Sequence, residues 1–305
     1  MSTEADRVPW NKPILVIGSQ ALGSLITLLA IYYQKRYNRL HRSIYGLSFD
    51  SQLFQFIRHV LALYCSLNYL FNPYIKRQLQ KRCPLFYDSH DVQIIPISWV
   101  IMIFNFLLAW NYWSLIRQLK KYAYTKHIHQ GFSSLAKSII FIFAYFLGIF
   151  TFWCAFWFGI CQEKDSGLFG LFWLDHVNYL WLLSNIFNIW SFWPQLCINW
   201  MGKCCQGLSS RFVILSLLSS LIKLFGITIL NNCDKHAVPM NHNSNQGVPY
   251  YQWPFNLENK FVIIMELLSI IGILVQAQYF YPNNKPYLPK DIEKTNVYGH
   301  TYSII

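Results

Sequence analysis

Charge is what this chain has least of. Asp, Glu, Lys and Arg make up 12% of its 305 residues, about half the share found in soluble globular domains. That scarcity argues against a water-soluble fold. Acidic residues are scarcer than basic ones, 13 against 25, which leaves a net charge of +12. The basic residues lie mostly between apolar runs, a placement that suits anionic lipid headgroups better than a nucleic-acid stripe. No nucleic-acid recognition motif is present, so a nucleic-acid partner is not expected. The eight cysteines show no Cys-x-x-Cys spacing, so they do not read as a zinc site, and no other metal or cofactor is implied. A Ser-His-Asp set, a phosphate-binding loop and a His-Glu-x-x-His helix are all missing, so an enzyme is not expected. No Asn-x-Ser/Thr sequon is available to fix topology. The stretch before Pro13 lacks the early basic region and small-residue cleavage site of a signal peptide, and the first apolar run is read as a retained helix.

What the chain has in abundance is apolar surface. Hydrophobic residues reach 54% and aromatics 18%. A membrane crossing takes about 20 mostly apolar residues, and seven stretches meet that measure: 13–33, 47–71, 94–116, 138–160, 172–196, 208–230 and 260–281. The second carries Asp50, Gln52, Gln55, Arg58 and His59, and the fifth has Asp175 and His176 near its start. With the N-terminus on the lumenal or external side, the cytosolic segments hold 14 Lys and Arg and the opposite segments nine. The positive-inside bias therefore favours that orientation, with the tail 282–305 in the cytosol.

The most informative stretch is Pro194-Gln195, followed by Asn199, Lys203 and Gly207-Leu208-Ser209. Moved back by 161 residues, the pattern returns as Tyr33-Gln34, Asn38, Arg42 and Gly46-Leu47-Ser48. Matches in ungapped register at the ends of two apolar spans make an internal repeat. The repeat predicts an all-α membrane protein of seven transmembrane helices in a 3-1-3 order. Residues 13–116 and 172–281 form two three-helix units, and a linker helix at 138–160 lets them run parallel.

This arrangement resembles the PQ-loop family, which includes lysosomal cystine exporters and vacuolar amino-acid transporters and has the sugar carriers as relatives in fold. The second copy matches the motif well, whereas the first has Tyr33 where proline would stand. The resemblance implies a carrier that moves a small polar metabolite, such as an amino acid, by alternating access. Protons are a candidate co-substrate and membrane lipid is the surrounding partner. It also leaves open a non-transporting member, acting as a cargo receptor or in lipid or trafficking regulation. Residence in a vacuole, lysosome or other endomembrane is expected, with the plasma membrane as an alternative. Tyr302-Ser303-Ile304-Ile305 fits a tyrosine-based sorting signal of a kind that also arises by chance.

Several residues are candidates for function. Pro194 removes an N–H and leaves a carbonyl near Trp190 without a helical partner. It reads either as a hinge, with Gln195 satisfying freed backbone groups, or as a helix terminator. Asn178, Asn185 and Asn188 fall on one helix face with Asp175, and Glu266, Ser269 and Gln276 on another. Such stripes face either a cavity or neighbouring helices that they bond. The 161-residue shift takes Asn105 onto Glu266. Arg58 and His59 lie near mid-membrane, one expected to face the cavity and the other to snorkel or bond a carbonyl. The sixth apolar stretch, 208–230, lacks the acidic residue that proton-coupled members of the family carry after Gly-Leu-Ser. Lys223 and Glu266, at matching depth, read either as a charge pair or as a lysine that snorkels outward beside a neutral Glu266 within the bundle. Cys83, Cys161 and Cys233 fall on the oxidising side, where one disulfide is a candidate, and Cys204 and Cys205 are candidates for S-acylation.

Overall fold

The computed structural model describes residues 11–82, 97–126, 130–160, 172–205, 207–235 and 255–282, and every regular element among them is helical. In chain order these are α1 (Asn11–His41), α2 (Phe49–Phe71), α3 (Pro73–Arg82), α4 (Trp99–Lys121), α5 (Ser134–Ile160), α6 (Trp173–Trp190), α7 (Trp193–Gly202), α8 (Ser210–Lys235) and α9 (Lys260–Val275). A π-helical turn, Gln276–Phe280, continues α9. The tail from 283 onward and the cysteines expected on the oxidising side lie outside the residues whose side chains are described.

Five of these helices are long and apolar enough to cross a bilayer: Ile14–His41, Trp99–Lys121, Ser134–Cys154, Ser210–Thr228 and Lys260–Phe280. The protein is an integral, multi-pass helical membrane protein. α2 is long enough at 23 residues, but Asp50, Gln52, Gln55, Arg58 and His59 make it polar, and all five are buried. Burial inside the bundle is where lipid avoidance puts them. The fifth apolar stretch is divided. α6 stops at Trp190, Ser191 and Phe192 bend the chain, and α7 restarts at Trp193 and continues to Gly202. Pro194 therefore sits in the first turn of a new helix, where its absent N–H is tolerated, and not in the last turn of a helix ending at 196.

α1 packs along α8, and α2 packs on α4 and α6. Under the 161-residue shift the α1–α8 and α2–α6 contacts are equivalents, so each copy lays its first helix on the second helix of the other. Small residues set the α1–α8 spacing: a Cβ at Gly23 would come 2.6 Å from Lys223 Cγ. Ser219 Oγ donates to the Gly23 carbonyl at 2.7 Å and lies 2.8 Å from Thr27 Oγ1. Close approach of this kind, sealed by hydroxyl bonds, is how membrane helices associate without a hydrophobic drive between them. α5 is peripheral. It packs on α6 through Ile139, Ile140, Phe143 and Leu147, and most of its other described side chains are exposed, as suits a helix that borders lipid.

Candidate functional site

Two places concentrate buried polar chemistry. The first is the paired turns. Gln195 Nε2 donates to the Gly46 carbonyl at 2.8 Å, and its Oε1 accepts from Ser48 N at 2.8 Å. Gln34 does the same in reverse: its Nε2 donates to the Gly207 carbonyl at 3.1 Å, and its Oε1 accepts from Ser209 N at 2.9 Å. Each glutamine also donates to the asparagine four residues on, Asn38 at 2.9 Å and Asn199 at 2.8 Å. The helices end alike as well, with Arg42 at φ 47° and Lys203 at φ 45°, both left-handed. Gln195 thus satisfies backbone groups of the other copy and not, as expected, those freed beside Pro194. The result is a reciprocal clasp between the two Gly-Leu-Ser turns. Gly207 has to be glycine here, because a Cβ would run into the Tyr45 carbonyl and the Gly46 backbone.

The copies differ around that clasp. The first turn is buttressed from the α4–α5 connection: Gln130 Oε1 accepts from Gly46 N at 3.1 Å, and Nε2 donates to the Ile44 and Leu47 carbonyls. Thr125 Oγ1 accepts from Ile44 N at 3.0 Å. In the second copy the end of α9 takes hold of α7 instead. Asn199 Nδ2 donates to Gln276 Oε1, and Gln276 Nε2 donates to the Leu196 carbonyl, both at 3.1 Å. The position matching Gln276 in the first copy is Leu115, and Asn38 Nδ2 is buried without a hydrogen-bond partner.

The second place is a cleft in the half of the bundle away from the clasp, enclosing about 520 Å³ of unfilled space with its open mouth included. Arg58 and His59 of α2, Asn105 of α4, and Asn185 and Asn188 of α6 line it, and residues 255–258 close over it ahead of α9. Neither Arg58 nor His59 snorkels; both are buried. His59 Nε2 accepts from Arg58 Nε at 3.2 Å, which leaves Nδ1 to donate to Asn105 Oδ1 at 2.9 Å. Arg58 faces Glu266 at 3.7 Å and Glu258 at 3.8 Å. Asn105 and Glu266 are equivalents by the repeat, so α2 offers adjacent residues to the same level of both copies.

Lys223, 1% exposed, donates to both oxygens of Glu258 at 3.1 and 3.0 Å. The expected direct pair of Lys223 with Glu266 is therefore replaced by a chain, Lys223–Glu258–Arg58–Glu266. The reason is reach: Glu258 precedes α9 and folds back between the two cations. Burial pushes the Glu258 carboxyl up, but Lys223 and then Arg58 outweigh it and hold it below its ordinary range. The remaining expected residues fall elsewhere. Asn178 is exposed and accepts from Tyr69 Oη, and Gln276 belongs to the clasp. Glu258 was not singled out from sequence, although the charges on the apolar helices carry a signal that could have found it. Arg58 and Lys223 against Glu266 leave one buried cation unbalanced.

Two residues of the cleft each keep a buried polar atom without a hydrogen-bond partner: Arg58 Nη1, whose contact with Glu266 at 3.7 Å is too long for one, and Asn188 Oδ1. Among the described residues no cluster of three or more His, Cys, Asp or Glu is arranged to hold a metal.

The PQ loop repeat family matches residues 177–234, the segment holding the break between α6 and α7, the second clasp glutamine and Lys223. The chain belongs to the PQ-loop family. An uncharacterized Saccharomyces cerevisiae protein, YCL002C, is 40% identical over 277 residues, covering 91% of this chain and 99% of the relative. That likeness spans both copies of the repeat and α5 between them.

Proposed function

We propose that this PQ-loop protein is a seven-helix carrier that moves a small polar metabolite, such as an amino acid, across its membrane by alternating access. In this reading α1, α2 and α4 form one unit, α6–α7, α8 and α9 the other, and α5 links them in a 3-1-3 order. The N-terminus is lumenal or external, and the clasped turns and the tail are cytosolic. The observation that carries the proposal is the cleft, lined by buried polar residues of which Arg58 and Asn188 each keep one atom without a hydrogen-bond partner. A buried donor and acceptor left open cost about 1–3 kcal/mol each, and a solute that bonds them removes that cost. The reciprocal clasp supports the same reading, since it seals the bundle on the side opposite the cleft. Exchange of the open side requires the clasp to part, and the break at Ser191 and Phe192 gives α7 the freedom to move with it. Tracer uptake into vesicles containing the purified protein tests this. Uptake of one or more amino acids above protein-free vesicles, lost in Asn188→Leu, is expected. A panel of amino acids that binds the protein without crossing would instead make it a receptor.

A further inference from the structure

The cleft holds a carboxylate of its own. Glu258 places its two oxygens on Lys223 Nζ at 3.1 and 3.0 Å, and one of them faces Arg58 at 3.8 Å. Of the four charged groups in the chain it is the most accessible, 23% exposed against 7% for Glu266, 3% for Arg58 and 1% for Lys223. It is also the only one borne outside a helix. Its segment is pinned at two points: Asn256 exchanges hydrogen bonds with Ser98 at 3.1 and 2.9 Å, and Asn259 caps α9. Arg58 is buried, lines the cleft, and keeps its Nη1 without a hydrogen-bond partner.

We propose that Glu258 is a tethered occupant of a carboxylate site, and that a solute bearing a carboxylate takes its place between Lys223 and Arg58. The exchange conserves buried charge. Two cations face two anions before it and after it, while Glu258 swings toward the mouth where it is already partly solvated. Breaking a buried pair without a replacement is costly, so a neutral solute has no means of displacing Glu258. A phosphate carries about −1.5 to −2 at neutral pH and would leave the site overcharged. A planar group with two oxygens matches the way Lys223 grips both oxygens of Glu258. The inference rests on the carrier reading for its physiological meaning and names the substrate class of that cleft.

The test is thermal unfolding of the purified full chain in lipid nanodiscs, titrated with sodium acetate, sodium phosphate or methylammonium chloride at constant ionic strength. In Glu258→Ala the tether is gone, and acetate should stabilise at a half-effect concentration at least tenfold below that of the wild type. Adding Lys223→Met to that variant should abolish the response. Glu258→Asp, which keeps the charge and shortens the tether, should respond between the two and serves if Glu258→Ala does not fold. Equal stabilisation by phosphate or methylammonium would overturn the carboxylate assignment. A wild type that acetate never stabilises, beside a responsive variant, would show a static ion pair and overturn the displacement. No flux enters this measurement, so uptake that persists while acetate fails to bind defeats this inference alone. Acetate binding without uptake defeats the carrier reading alone.

Discussion

The two copies of the repeat end in the same turn, held by the same glutamine, yet their first helices are built differently. α1 passes through Tyr33 unbroken to His41, while the matching stretch breaks at Ser191 and Phe192 and restarts as α7 with Pro194 in its first turn. The first turn is braced by Gln130 and Thr125 from the α4–α5 connection. The second has Gln276 gripping α7 from a π-helical turn, a distortion frequent at functional sites. The charges divide unevenly too. Lys223, Glu258 and Glu266 belong to the second copy, and the shift places Ala62, Ile97 and Asn105 at their equivalents. In the carrier reading proposed above, the duplicated unit has diverged into a frame, with α1 continuous and its turn braced, and a moving part that carries the proposed hinge and three of the four charges at the cleft.

The uneven charge gives the largest expected effect. Lys223→Met leaves Glu258 facing Arg58 alone in a buried site, and stability should fall by about 3–5 kcal/mol. Lys223→Met with Glu258→Gln should recover part of that loss, as measured by thermal unfolding in detergent micelles. Substituting Ala62, its equivalent, by Met should have a far smaller effect. Losses that simply add in the double variant would remove the pair from the account.

A smaller effect separates the two clasp asparagines. Asn199→Leu orphans Gln276 Oε1 and should cost about 1–2 kcal/mol. Asn38→Leu removes an amide whose Nδ2 has no partner, and Gln34 keeps its bond to the Gly207 carbonyl, so the change should be close to neutral. Equal costs would mean that the two ends are held alike.

The smallest effect is that of pH on Glu258. Its folded pKa lies below the ordinary value of 4.5 because Lys223 and Arg58 outweigh burial. The stability it contributes is therefore fully present above that value and is lost as pH falls through the folded one. The gap in unfolding temperature between wild type and Glu258→Gln should stay constant at neutral pH and close in acid. A gap that widens in acid would reverse the sign of the shift.

Much of this was legible in the sequence. Apolar run length located five of the seven expected spans, because crossing a bilayer sets a length that few other demands do. Ungapped register exposed the repeat, and polar residues on apolar helices led to His59, Asn105, Asn185 and Asn188, which the fold brings to one cleft. Partner identity was not legible. A shift that matches Gln34 with Gln195 does not say that each reaches across to the other copy, because that depends on how the units pack. Glu258 escaped for a related reason: it sits in a polar segment where an acid is unremarkable, and only the folded-back strap brings it to Lys223. Pro194 marked a discontinuity, but whether a proline ends a helix or starts the next depends on Ser191 and Phe192, whose residue types carry no breaking signal of their own.

The division into frame and moving part is tested most directly at Pro194. Pro194→Ala supplies an N–H that can bond the Trp190 carbonyl and fuse α6 to α7, making the second copy resemble the first. Vesicle uptake should drop at least tenfold, while expression and unfolding temperature stay at wild-type levels or rise, and Tyr33→Phe at the matching position should transport normally. Undiminished uptake by Pro194→Ala would contradict the account, because the break would then be a helix boundary and not the hinge.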